Sequence, residues 1–168
     1  MASFIRNSIE YYGIDSLNNR LCKLQDIKNF KQSNINLQIC LPKEKPNIGQ
    51  ILSVKIDKNI SKTKLVKTPV GKSMEGQNLT GYKLLVMGDI GFEINYVASG
   101  CNQSIHNFHG CVPFCEYVVM PKAFNVEETI LPEIYIEDIY INQKDCRCMY
   151  GSVTLMVVAE PCSFMGGV

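Results

Sequence analysis

The sequence predicts a mainly β protein: an antiparallel two-sheet β-sandwich with an irregular N-terminal arm and a short C-terminal tail. Three observations predict it. From Leu84 to Ala98 every second residue is apolar or glycine, the period of an extended chain with one buried face. Further runs alternate in the same way between proline and glycine punctuation. No run carries a convincing amphipathic helix period, and two stacked sheets are the simplest cover for so many half-apolar strands.

Residues 1–34 are polar and alternate poorly, which suits an irregular arm. In 35–41, Ile35, Leu37, Ile39 and Leu41 alternate with Asn36, Gln38 and Cys40, a strand that Pro42 ends, with the Cys40 thiol toward solvent. After the loop LPKEKPNIGQ, a strand follows through Leu52, Val54, Ile56, Ile60 and Val66. Lys55, Lys58, Lys62, Lys64, Lys67 and Lys72 crowd this region. Lysines on an edge strand oppose edge-to-edge pairing, a reading preferred to a phosphate-binding strip. Pro69, Gly71, Gly76 and Gly81 mark turns.

Parity shows that Leu84–Ala98 is one strand. A turn at Gly88-Asp89 would pair Leu84 with Glu93 and split the apolar set across both faces. A strand of about 15 residues exceeds the usual length, so a bend at Gly88 or Gly91 and a share in both sheets are expected. SGCNQSIHNFHGC reads as a loop. The next strand puts Val112, Phe114, Val118 and Met120 on one face and Cys111, Cys115, Tyr117 and Val119 on the other. EIYIEDIYIN is apolar on both faces apart from Glu137 and Asp138, which suits a central strand. A last strand runs through Val153, Leu155 and Val157 to Pro161. The chain divides into an arm (1–34), a β domain (35–160) and a flexible tail (161–168).

The 168 residues suit one domain, and a net charge of +1 with 46% hydrophobic residues points to neither disorder nor a nucleic-acid partner. No stretch spans a bilayer and the start lacks an apolar leader core, so folding in the cytosol and no membrane partner are expected. Eight cysteines then call for an explanation, because reducing cytosol disfavours structural disulfides. There is no C-x-x-C pair. Cys101, His106, His109, Cys111 and Cys115 have ligand types that suit zinc. A Cys-His nucleophile pair lacks an orienting third group, and neither a catalytic residue nor a cofactor is expected. Cys146 and Cys148, at i and i+2, would close a strained small ring with each other, so each seeks another partner. Cys111 and Cys115 suit burial as small hydrophobes. Cys22, Cys40, Cys101, Cys146, Cys148 and Cys162 remain as candidates for disulfides between molecules.

LPKEKPNIGQILSV, KTPVGKSMEGQNLTGYKLLVMGDI, INYVA, QSIHNFH, VPF, YIEDIYI and GSVTLMVVA together resemble the SPOCS domain, a spore-coat structural family of spore-forming clostridia. The resemblance covers roughly residues 36 to 159 and includes no LysM module. It implies a non-enzymatic part in building the spore's outer layers. Asn47 and Gly49 stand where an acidic residue is usual. The positions of Cys101, Cys111, Cys115, Cys146 and Cys148 are usually not cysteine, whereas a pair matching His106 and His109 is usual. That separates the histidines from the thiols, weakens the zinc reading, and suits two residues that hold a crossover loop. The expectation is a self-assembling structural protein of the coat, exosporium or a spore appendage. It would fold in the mother-cell cytoplasm, take copies of itself as partners, and be locked by intermolecular disulfides once the surroundings oxidise. The alternative is an adaptor that recruits another spore-coat protein.

Overall fold

The computed structural model describes residues 3–15, 29–74, 76–122, 124–127 and 129–159. Their regular structure is all strand: β1 (Ser3–Arg6), β2 (Ile9–Tyr12), β3 (Phe30–Cys40), β4 (Ile48–Lys72), β5 (Asn78–Ala98), β6 (Ile105–Val119), β7 (Glu133–Gln143) and β8 (Cys148–Val158). They form a five-stranded sheet in the order β1-β2-β4-β5-β6 and a three-stranded sheet in the order β3-β8-β7. One hydrophobic cluster takes Val54, Val86, Ile90, Ile94 and Phe114 from the larger sheet and Leu37, Ile139, Val153 and Leu155 from the smaller. The two-sheet β fold expected from the alternation is therefore present, with one parallel pair: Glu10–Tyr12 runs alongside Ser53–Lys55 in the same direction.

β5 carries the predicted alternation without a slip, every second side chain from Leu84 to Ala98 being buried. It does not serve two sheets, however. β5 pairs with β4 on one side and β6 on the other, all in the larger sheet. Its length is accommodated by irregularities in its partner β4, one of them at Ile60/Lys62, where Ser61 is inserted opposite Gly88 and Met87 and donates a hydrogen bond to the Met87 carbonyl (3.1 Å). A Cβ on Gly88 would stand 2.0 Å from the Asn59 carbonyl oxygen and 2.7 Å from the Phe114 ring, so glycine is what allows β4 and β6 to close on β5 there.

Three other expectations are corrected. The arm is not irregular throughout: Ser3–Arg6 and Ile9–Tyr12 form a hairpin around Asn7 and Ser8, both at positive φ, as a primed two-residue turn requires. Leu52 is only half-buried, because register shifts between Ile48 and Gln50 and between Ile51 and Ser53 reset the phase and bury Ile51, Val54 and Ile56. Val66, beyond the core, is exposed. β7 is an edge strand, not a central one. Its register shifts between Ile136 and Asp138, so Ile134, Ile136, Ile139 and Ile141 all reach the core face across the shift. Much of what reads as two apolar faces is one face with a bulge, and Tyr135 is buried apart from that core.

The N-terminal hairpin covers that edge. The Asp15 amide donates to the Ile136 carbonyl (2.9 Å), and its carboxylate accepts from the Ile136 amide (2.8 Å). The buried Tyr11 hydroxyl donates to the Ile141 carbonyl and accepts from the Ile141 amide, both at 3.3 Å. Arg6 pairs with Asp138 (2.9 Å) and donates to the Ile139 carbonyl. Gly13, at φ +99°, lets the chain pass so close to β4 that a Cβ would meet the Ile56 carbonyl oxygen at 2.1 Å.

Candidate functional site

The chemistry-bearing side chains concentrate on outer faces and sheet edges. In the smaller sheet, Cys40 on β3 lies directly opposite Cys148 on β8. The two form a disulfide with Cα atoms 4.1 Å apart, the separation of a non-hydrogen-bonded antiparallel pair. This corrects the expectation that both thiols seek other molecules. The register that made the pairing visible depends on which strand neighbours β3, which local sequence does not encode.

The disulfide borders the turn joining β7 to β8, and Arg147 holds that turn against the 41–47 loop. Its guanidinium donates to the Lys45 carbonyl (3.2 Å), the Asn47 side-chain oxygen (2.8 Å) and the carbonyls of Leu41 (3.2 Å) and Pro42. The Asp145 carboxylate accepts from the amides of Arg147 and Cys148, both at 2.7 Å, and these bonds hold its pKa below the ordinary value. The turn presents Cys146 as an exposed free thiol. Sequence reasoning took Arg147 only as a sign of exposure; its role as a clamp shows only once the two loops meet.

β6 carries Cys111 and Cys115, both exposed and free. The burial expected of them fails because nothing among the described residues covers the outer face of the larger sheet there: Phe114 and Val118 are buried on the inner face, while Cys115 and Tyr117 alternate with them and face out. Cys101, in the preceding turn, is also exposed and free. Cys22 and Cys162 lie outside the described residues. Pro113, between the two β6 thiols, sits on an edge strand whose pairing with β5 runs past it without a shift, so its missing amide falls on the open side.

His106 and His109 lie within β6 and not in a loop. Their spacing of three sends them to opposite faces. His106 is half-buried, 5.7 Å from the Tyr96 ring and hydrogen-bonded to Ser104 (2.9 Å) at the end of the 99–104 loop. His109 is exposed opposite Glu93. They cannot converge on one ion with the cysteines, and among the described residues no group of three or more His, Cys, Asp or Glu is placed to hold a metal.

Beyond Lys55, the outer edge of β4 pairs with no strand among the described residues. Lys62, Lys64, Lys67 and Lys72 stand exposed along it, where lysine opposes edge pairing as expected. Lys58 is engaged by the Asp15 carboxylate. Shallow clefts lie beside Asp15, Lys58 and Glu133 and over the Cys40–Cys148 bond, and neither brings a nucleophile together with a base and an orienting group.

Two kinds of comparison with known proteins return nothing: no curated protein and no solved structure matches the chain. A third matches residues 47–144, from the end of the first loop through β4, β5, β6 and β7, to a family model described as SipL, SPOCS domain.

Proposed function

The chain belongs to the SPOCS-domain family, a sporulation family that is not one of enzymes, and from that premise we propose that it is a structural, self-assembling protein of the spore surface. The observation that carries this reading is that all four free cysteines among the described residues are exposed, on a face, an edge and turns that other molecules can reach. Buried thiols would have needed only packing to explain them. The open strand edge of β6 supplies contacts before oxidation, and thiols then lock them. Cys101, Cys111, Cys115 and Cys146, with Cys22 and Cys162 from the sequence, are the cross-linking set. Copies of the chain are the partners, and the coat, exosporium or an appendage is the destination after synthesis in the mother cell.

Negative-stain electron microscopy of purified protein, with non-reducing gel electrophoresis after air oxidation, tests this. Ordered particles that resist boiling in detergent and release monomer only with reductant are expected. Replacing Cys22, Cys101, Cys111, Cys115, Cys146 and Cys162 with Ser should keep the particles and remove the resistance. A discrete monomer or dimer in both measurements would favour an adaptor that recruits another coat protein.

A further inference from the structure

The near-zero net charge conceals a segregation that the fold turns into two surfaces. From Lys58 to Lys83 there are six lysines and a single acid, Glu75, whereas residues 123–143 hold five carboxylates and no lysine or arginine. The first region is the β4–β5 ribbon. Its outer edge is unpaired and its far end extends past the reach of β6, which follows β5 only as far as Lys83. Lys62, Lys64, Lys67 and Lys72 are exposed and form no ion pair among the described residues, and the ribbon also exposes Val66, Val70 and Met74, the last two at 78% and 106%. The second region leads into β7. Glu137 and Asp138 are engaged by Gln32 and Arg6; Glu127 and Glu133 stand exposed with no ion pair among the described residues, Glu133 accepting only a neutral hydrogen bond from the Tyr135 hydroxyl, and Val126 (53%) and Leu131 (59%) lie beside them. Each surface thus combines free charge of one sign with exposed apolar side chains, and the signs are opposite.

Resting on the assembly reading above, we infer that the lysine ribbon of one copy docks on the surface that Val126, Glu127, Leu131 and Glu133 form on the next. A second copy is the fitting occupant because the chain itself carries both charges and leaves them without an ion pair among the described residues. Ribbon against ribbon is disfavoured by like charge. The β7 edge is already covered by the N-terminal hairpin, so the contact runs through side chains. Such a contact joins two different surfaces, which makes it heterologous: it propagates into an open filament or closes a ring, unlike a two-fold dimer. Opposite charge holds and orients it at low salt, and the exposed apolar side chains add contact area.

Charge reversal tests it on exposed positions that leave the core alone. Free thiols are first blocked with iodoacetamide, which spares the Cys40–Cys148 bond, and assembly is read by sedimentation velocity and electron microscopy, with circular dichroism as the check of fold. Wild type should assemble at low salt and lose at least about tenfold of its sedimenting fraction near 1 M salt, where the screening length is about 3 Å. K62E/K64E/K67E and E127K/E133K should each fail to assemble alone. Mixed together they should assemble again, since each then offers the surface that the other lacks. Assembly of either variant alone, or no recovery on mixing, overturns this contact and leaves the self-assembly reading in place. A wild type that stays monomeric at every salt concentration overturns both.

Discussion

Tyr11 is buried with its hydroxyl between the amide and carbonyl of Ile141, so one side chain satisfies two backbone groups at the edge of the smaller sheet. Burial raises its pKa and keeps it neutral, as a group that both donates and accepts must be. Tyr11→Phe keeps the ring and strands both partners, which should cost about 1 to 3 kcal/mol in urea unfolding. Along β5, Ile94 is fully buried and Glu93 next to it faces outward, where it accepts a hydrogen bond from Asn107 (2.7 Å). Ile94→Ala should therefore cost about 2 to 5 kcal/mol, and Glu93→Ala within about 0.5 kcal/mol. Equal losses at the two positions would refute the observed register.

At the scale of elements, the Asp145 carboxylate supports the β7–β8 turn beside the Arg147 clamp. The amides of Arg147 and Cys148 favour the charged form of Asp145, whose folded-state pKa is depressed. The stabilisation is fully present above the ordinary carboxylate pKa of about 3.9 and is lost as pH falls through the lower folded value. Amide exchange at Arg147 and Cys148 should be slow from neutral pH down to about 4, relative to the intrinsic rate, and rise below it. Asp145→Ala should show the fast behaviour at all pH values. A protected turn in that variant would mean that the Arg147 clamp alone is enough. The N-terminal hairpin plays a comparable part on the opposite side, where Asp15, Tyr11 and Arg6 take up the backbone groups that β7 would otherwise offer to another chain.

For the whole molecule, the Cys40–Cys148 bond joins positions 108 residues apart. Closing so long a loop in the unfolded chain corresponds to about 4 to 5 kcal/mol in the chain-entropy account. C40A/C148A should unfold at lower urea and lower temperature than wild type while retaining its β circular dichroism. An unchanged midpoint would mean that the sandwich holds without the bond. The same molecule keeps its other described thiols on the outside, so one oxidation steadies the monomer and the remainder are free for contacts between copies.

Strand identity and facing were legible wherever alternation ran unbroken: β5 from Leu84 to Ala98, the Leu37 and Ile39 face of β3, and the Phe114 and Val118 face of β6. They were lost where a bulge resets the period, as at Leu52 and Glu137, because a residue inserted into one strand changes parity without a mark in local composition. The hairpin at Asn7-Ser8 escaped notice because Asn-Ser is a weaker signal than Asn-Gly and each strand is only four residues long. Of the candidate site, the sequence determined how many thiols there are, which cysteines share a strand face, and that lysines line one strand; the family resemblance came from the same residues. Tertiary structure alone decided that β3 lies beside β8 and so joins Cys40 to Cys148, that β7 is an edge covered by residues 3–15, and that no described residue covers the outer face of β6. These are facts of which strands become neighbours and which faces stay uncovered. Alternation reports that a strand has a buried side, but the partners that bury it come from far along the chain.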